Sequence, residues 1–266
     1  MDLAHELAGV GSPLADSAIY VPAENVRKVL FGIDLGPAEL LIAKQLGYDL
    51  AISHHPLDTL IDAWQVYGRH VDIMVASGVP ADVAHAAVAD RMEVMRVRSQ
   101  AANYDHVPSV ARLLGMPYMN IHGPCDELGR QRLQLAVNGI LVADPGISLG
   151  RLAERLSQAI PEFALAPTTV QPVVGDPNAP AGRVVVAHGA YTNGGYKVAR
   201  AYYDHGVQTV VYIHVLPDDL ARLRQEGHGN LLVTGHTVSD AIGINPLIDA
   251  LQDRGIEVTA FSGIVR

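Results

Sequence analysis

Cysteine and clustered basic residues are scarce in this sequence, and each scarcity excludes a class of protein. A single cysteine, Cys125, excludes an intramolecular disulfide framework and a zinc knuckle built from cysteine pairs. The chain has 19 Lys and Arg against 28 Asp and Glu, and its formal net charge of −9 makes a nucleic-acid partner unlikely. Phe and Trp, two of the residues that stack on unpaired bases, number only three and one. Because there is only one cysteine, any metal would bind through nitrogen and oxygen atoms.

Long hydrophobic runs are also missing. The chain is 49% hydrophobic, yet no stretch stays apolar over the roughly 20 residues that cross a bilayer. The acidic start "MDLAHELAGVGSPLADS" has none of the basic residues that open a signal peptide. We expect a cytoplasmic protein that does not contact membranes. Its 266 residues can form one large α/β domain or two smaller domains that share a cleft.

Strand-like and helix-like segments alternate along the chain. "RKVLFGID", "LGPAELLIAKQLG" and "YDLAI" predict a βαβ unit over residues 27–52. Residues 59–115 read as mostly helical, "MPYMNIHGPCDELG" as a further short strand, and "SLGRLAERLSQAI" as a helix. From "RVVVAH" onward, strands and helices alternate regularly to the C-terminus. This alternation predicts a largely parallel sheet with helices on both faces.

The fold class that we predict is α/β, with two similar half-domains, mostly parallel sheets flanked by helices, and a metal cleft between them. Five prolines between Pro161 and Pro180 favour a linker over residues 161–182. This divides the chain into an N-terminal half-domain with a helical insertion, residues 1–160, and a C-terminal half-domain, residues 183–266. Aligning "PAELLIAKQLGYDLAISHH" with "PDDLARLRQEGHGNLLVTGH" places His55 on His236 and supports the similarity of the halves.

Histidines stand where the predicted strands end, at the edge where ligands of parallel sheets collect. They are His54, His55, His122, His188, His214 and His236. Successive residues of a strand point to opposite sides, so His54 and His55 could each reach a different ion of a close pair. His236 and Asp240 share one helix face at i, i+4 spacing, and Asp126 adds a second carboxylate. Such a set suits Zn, Mn, Fe, Co or Ni.

At these residues the chain resembles the Nif-three-like family of dinuclear metal proteins, whose members are often described as GTP cyclohydrolase I type 2-like. The resemblance rests on "FGIDLGPAELLIAKQLGYDLAISHHP", "YDHVPSVARLLGMPYMNIHGPCD", "NGGYKVARAYYDHGVQTVVYIH" and "LLVTGHTVSDAIGINPLIDALQDRGIEV". It implies two divalent transition metal ions held by His54, His55, Asp126, His236 and Asp240. Two positions depart from the family pattern, because many members have Glu in place of Asp240 and Thr in place of Gly123. The resemblance also implies a homo-oligomer, typically dimers assembled into a hexameric ring.

The expected function is that of a metal-dependent hydrolase. Two ions would lower the pKa of a bridging water and stabilise the oxyanion that forms on attack. The substrate would be a small molecule. If the cyclohydrolase activity transfers, the attack falls on C8 of the guanine ring of GTP, and His122 is the candidate catalytic residue that handles protons. A phosphoester or an amide would fit the same ions.

A non-catalytic metal-binding regulatory or chaperone-like protein is the alternative. Open coordination positions would favour catalysis, whereas a closed ligand shell would favour storage or a structural role.

Five other features allow a second interpretation. "GISLG" matches the nucleophile elbow of serine hydrolases, but we expect Ser148 to cap the helix that follows. "HGAYTNGGY" could cradle a phosphate with its backbone amides or form a close-packed turn. Cys125 is expected to be a small core residue, and Asp34 could be a polar strand end. His122, His188 and His214 could lie outside the ligand set and support it.

Overall fold

The computed structural model describes residues 1–11, 14–56 and 60–266, which form two mixed sheets surrounded by helices. The strands are β1 Ala18–Val21, β2 Lys28–Gly32, β3 Leu50–Ser53, β4 Tyr118–Asn120, β5 Gln171–Val174, β6 Val184–Val186, β7 Thr209–Tyr212, β8 Asn230–Val233 and β9 Glu257–Phe261. The helices are α1 Asp2–Ala8, α2 Pro37–Gln45, α3 Arg69–Ala76, α4 Ala81–Ser99, α5 His106–Leu114, α6 Gly123–Ala143, α7 Leu149–Ala159, α8 Glu162–Leu165, α9 Gly195–Asp204, α10 Pro217–Glu226 and α11 His236–Gln252. A 3-10 helix, Ala63–Gly68, precedes α3.

Both sheets are parallel except at one edge. The first has the order β1-β4-β3-β2-β9, with β1 antiparallel to β4, and the second has the order β5-β8-β7-β6, with β5 antiparallel to β8. Short apolar runs such as "VVV" in β6 are typical of strands that helices cover on both faces. The prediction of two similar α/β halves with mostly parallel sheets is confirmed.

Helices α6 and α11 form a layer that packs against both sheets. Cys125 in the first turn of α6 and Ile244 in the middle of α11 join the core of the first sheet, which includes Phe31. Farther along α6, Val137 joins the core of the second sheet, and Ile242 of α11 packs there too. The two helices are therefore fixed by both halves of the molecule.

Two glycines allow α6 and α11 to cross closely. A Cβ atom on Gly129 would lie 3.1 Å from the carbonyl oxygen of Ser239, and one on Gly243 would overlap the carbonyl oxygen of Cys125. The backbones thus meet without side chains between them. This close crossing brings the N-terminal turns of the two helices together.

The C-terminal strand and the predicted linker both take part in the sheets. β9 pairs with β2 in parallel, so the last strand of the chain lies in the first sheet. The predicted linker, residues 161–182, contains α8 and also β5, an edge strand of the second sheet. Prolines fit there because an edge strand need not donate every backbone hydrogen bond. The half-domain boundaries themselves stay a prediction.

Three further expectations can be compared with the structure. Ser148 accepts a hydrogen bond from the Arg151 amide at 3.4 Å and caps α7, as predicted. The predicted helical stretch contains α3, α4 and α5, but its first residue, position 59, lies outside the described residues. Among the ranges that the structure describes, no helix is long and apolar enough to cross a bilayer.

Candidate metal centre

Two buried carboxylates face each other at the start of the central helix layer. Asp126 lies in the first turn of α6 and Asp240 in the second turn of α11, and the two side chains are 3% and 1% exposed. The buried Oδ1 of Asp126 and Oδ2 of Asp240 have no hydrogen-bond partner. Buried charges without a counter-charge are strongly unfavourable, so this pair of oxygens is a candidate site for a cation.

His54 points its free nitrogen at both carboxylates. Its Nδ1 donates to the carbonyl oxygen of Ile121 at 2.9 Å, because a carbonyl can only accept. In its neutral form the ring then carries a lone pair on Nε2, which lies 3.2 Å from Asp126 Oδ1 and 3.8 Å from Asp240 Oδ1. Two acceptors and a lone pair in a buried space are a donor set that could hold a metal ion.

His55 and His236 occupy the more open side of the centre. The Nε2 atoms of both rings lie 3.5 Å from Asp240 Oδ2. Asp34 accepts a hydrogen bond from His55 Nδ1 at 2.8 Å, which turns Nε2 inward. Asp34 is therefore a polar residue after a strand that also orients a histidine. The side chains of His55 and His236 are 22% and 45% exposed, whereas His54 is fully buried.

His122 lies beside Asp126 in the centre. Its ring is oriented by Asp16, a residue that the sequence analysis missed. Its Nδ1 donates to Asp16 Oδ2 at 2.7 Å, and its Nε2 lies 3.6 Å from Asp126 Oδ2. Asp16 is fully buried in the segment before β1. Outer carboxylates of this kind fix the tautomer of a histidine beside a metal. The short segment around Asp16 carries no motif, so no sequence signal could have identified it.

The pKa values reflect the mutual attraction of these groups. Burial acts to raise the pKa of Asp126, but the neighbouring His122 and His188 outweigh it and lower that pKa below its usual range. The pKa of Asp240 is lowered too, against burial, chiefly by the neighbouring His55 and then by His54 and His236. Burial opposes protonation of His122, yet Asp126 and Asp16 raise its pKa to about 9. The centre thus favours anionic carboxylates and stabilises positive charge beside them.

The structure brings all six predicted site residues together. Three overlapping groups have ligand atoms that lie within 4.8 Å of one another: His54 with His55 and His122, His55 with His236 and Asp240, and His54 with Asp126 and Asp240. Asp126 differs from the prediction only in its element, since it belongs to α6 rather than to the end of a strand. These buried His and Asp groups could hold a metal ion.

A cavity of about 760 Å³ opens from the centre. Helix α4 and the starts of α9 and α10 contribute to its walls, together with His214. The Gly195 amide donates to Asn193 Oδ1 at 3.0 Å, so the amide group of Asn193 donates to His214 Nδ1, also at 3.0 Å. Burial and the nearby His236 lower the pKa of His214 to about 4. His214 is therefore neutral and carries its hydrogen on Nε2.

The segment "HGAYTNGG" is a turn held by the 3-10 helix and α3. Its carbonyl oxygens accept hydrogen bonds from the hydroxyl of Tyr67 at Gly194, from Arg69 at Gly189 and from His70 at Thr192. These contacts correspond to the close-packed alternative of the sequence analysis. Cys125 is buried, and burial raises the pKa of its thiol, in keeping with a core residue.

Comparisons with solved structures identify similar proteins over nearly the whole chain. A NIF3 superfamily protein from Sphaerobacter thermophilus is 47% identical with a TM-score of 0.91, and the match covers 98% of this chain and 96% of that one. Protein SA1388 from Staphylococcus aureus is 14% identical, with a TM-score of 0.56 and coverage of 98% and 94%. A Bacillus cereus protein related to NIF3 is 12% identical, with a TM-score of 0.51 and coverage of 98% and 94%.

The two more distant likenesses show a shared fold alone. No family model matches the chain, and no curated protein sequence matches it. The first likeness, at 47% identity over almost the full length of both chains, establishes the family. It agrees with the motifs around His54 and His236. The chain belongs to the NIF3 superfamily.

Proposed function

We propose that this protein is a metal-dependent hydrolase with a dinuclear centre. The observation that carries the proposal is the orientation of His54, whose lone pair faces Asp126 and Asp240 in a fully buried space. A buried arrangement of acceptors costs several kcal/mol unless a cation binds there (about 2–7 kcal/mol per unpaired polar group). Transition metal ions such as Zn, Fe, Mn, Co or Ni match these nitrogen and oxygen atoms.

The geometry of Asp240 supports two ions rather than one. Its Oδ1 faces His54, while its Oδ2 faces His55 and His236. One carboxylate thus presents a different oxygen to each set of histidines. Asp240 is shorter than the Glu of many relatives, yet it reaches both sets because α11 begins directly at the centre.

Two bound ions would lower the pKa of a water between them and stabilise an oxyanion on the substrate. On the open side, the described chain offers His55, His236 and Asp240, which leaves room for a water or a substrate atom facing the cavity. Three protein ligands with an open position are typical of catalytic sites. This arrangement favours hydrolysis over metal storage.

Two histidines are placed to handle hydrogen bonds during the reaction. His122 keeps the hydrogen on Nδ1 through Asp16, and its raised pKa lets it hold a proton on Nε2 beside Asp126. His214 presents its Nε2 hydrogen as a donor, since Asn193 occupies Nδ1. We assign proton transfer to His122 and orientation of the substrate to His214.

A small molecule of nucleotide size suits the cavity, and we propose GTP as the first substrate to test. Cavities of this volume hold compounds of that size. Arg98 and Arg222 line it, and Arg222 lies over the ring of Tyr196 at 3.9 Å, so an anionic group would be attracted. Hydrolysis at C8 of the guanine ring would give a formamidopyrimidine product. A homo-oligomer, built from dimers into a ring, is a further proposal from the resemblance.

The test compares wild type with His55→Ala and His236→Ala after loading with each candidate metal. Both variants should bind less metal and lose GTP turnover while they stay folded, because the two side chains are partly exposed and contribute little to core packing. Metal content is measured by elemental analysis and the product by chromatography. Full metal retention in both variants would contradict the site, whereas two ions without turnover in the wild type would favour the non-catalytic alternative.

Ser148→Ala separates this proposal from a serine hydrolase. Loss of the cap of α7 should reduce the free energy of unfolding by about 0.5–2 kcal/mol and leave metal content and hydrolysis unchanged. Chemical denaturation and a turnover assay on the same sample measure both effects. Loss of activity with normal metal content would revive the nucleophile-elbow interpretation of "GISLG".

A further inference from the structure

We propose that His188 is a ligand of the more buried metal ion, together with His54, Asp126 and Asp240. The inference rests on the metal centre of the proposed function and adds a residue that neither the motifs nor the spacing assigned to it. His188 follows β6 and is 4% exposed. Its Nε2 is buried and has no hydrogen-bond partner.

The carboxylate oxygen that His188 faces also has no hydrogen-bond partner. His188 Nε2 lies 3.6 Å from Asp126 Oδ1, a carboxylate oxygen without any hydrogen bond. At 3.6 Å the two atoms are too far apart for a hydrogen bond between them. A direct bond between the side chains therefore does not explain why both are buried here.

A shared ion explains the distance. Two ligand atoms that each lie about 2.1 Å from an ion are roughly 3.0–3.6 Å apart when the angle at the ion is about 90–120°. Asp126 Oδ1 meets this condition with His54 Nε2 at 3.2 Å and with His188 Nε2 at 3.6 Å. Each of these nitrogens thus lies at a separation from Asp126 Oδ1 that fits two ligands of one ion.

Neighbouring residues hold His188 in this position. The guanidinium of Arg69 donates to the Gly189 carbonyl at 2.8 Å and to Glu127 Oε2 at 3.0 Å. Gly189 follows His188, and Glu127 follows Asp126. One side chain therefore links the backbone beside the histidine to the residue beside the carboxylate. Fixed ligand positions of this kind are what a metal site requires.

His188 would complete a four-ligand shell around the buried ion. His54, Asp126, Asp240 and His188 are each less than 5% exposed and are supplied by both halves of the molecule. Four protein ligands close a tetrahedral site, whereas His55, His236 and Asp240 leave the other ion open. His188 therefore ties the second sheet to the first through the metal.

The affinity test uses wild type, His188→Gln and a matched control, His5→Gln. His5 is another buried histidine with an unpartnered Nε2, but it lies on α1, and its Nδ1 bonds to the Met1 carbonyl oxygen away from the carboxylates of the centre. Competition between each metal-free protein and a coloured chelator gives the stepwise zinc affinities. We expect His188→Gln to weaken one step by about 10–100-fold or more and the control to match wild type.

A second measurement needs no variant. Wild type labelled with ¹⁵N-histidine and loaded with ¹¹³Cd should show direct cadmium coupling at Nε2 of His188, once its ring signals are assigned through the backbone. Absence of that coupling, in a protein that does bind cadmium, would overturn the assignment of His188 and leave the proposed function intact. If the wild type bound no metal at all, both proposals would fail.

Discussion

Asp240→Asn is expected to abolish the binding of at least one of the two ions. Asparagine keeps the shape of the side chain but removes the negative charge that faces His54 on one side and His55 and His236 on the other. Changes one shell farther out already cost about 10–100-fold in metal affinity, so a bridging ligand should cost at least that much. Metal content after reconstitution, measured by elemental analysis, should fall from about two ions per chain to one or fewer.

The control for this variant is Asp249→Asn, on the same helix. Asp249 is 63% exposed and pairs with Arg266 at 2.8 Å, away from the centre. Its loss should leave metal content unchanged. Thermal unfolding adds a second readout, because metal at about 100 times its dissociation constant stabilises a protein by about 2.7 kcal/mol. Wild type and the control should gain this stability, and Asp240→Asn should lose most of it. Equal metal content in all three would disprove the bridging role.

Gly243→Ala is expected to have the largest effect on stability. The added Cβ would overlap the carbonyl oxygen of Cys125 and lie 2.9 Å from the amide nitrogen of Gly129. Both contacts are with backbone atoms, so a side-chain rotation cannot relieve them. Overpacking of this kind costs about 1–3 kcal/mol or more, and α6 and α11 must move apart. Since these helices carry Asp126 and Asp240, metal affinity should fall as well.

Gly139→Ala provides the matched control, because Gly139 lies in α6 but has open space where its Cβ would stand. Alanine should stabilise the helix there by up to about 1 kcal/mol. Urea denaturation of the metal-free proteins measures the difference in the free energy of unfolding, and chelator competition measures metal affinity. A Gly243→Ala protein as stable as wild type would show that the helix crossing tolerates a larger separation.

The local elements and the members of the site could be predicted from the sequence to a large extent. Alternating strands and helices indicated β6, β7 and β8 of a parallel sheet, and the histidines after them lie near the centre because parallel strands end at one edge. Adjacent His54 and His55 do face different sets of ligands. The i, i+4 spacing of His236 and Asp240 correctly predicted that they share a helix face, because α11 begins at His236.

The features that could not be predicted from the sequence depend on contacts between segments that lie far apart along the chain. Asp16 meets His122 across 106 positions, and nothing in its surroundings marks it as functional. β9 pairs with β2 although the two strands lie at opposite ends of the chain. Helix α6 forms a layer with α11 because Gly129 and Gly243 let the two helices approach closely. This effect of the glycines is visible only where the helices cross. Such pairings are set by tertiary packing, which short-range patterns do not encode.

The most direct test of the dinuclear centre is elemental analysis of protein purified without chelators or a nickel column, before and after reconstitution with Zn, Fe, Mn, Co or Ni. We expect about two transition metal ions per chain in the wild type, and one or fewer when Asp240 is substituted. A protein that binds no metal under any of these conditions would contradict it, and the paired histidines of "AISHHP" would then need another explanation.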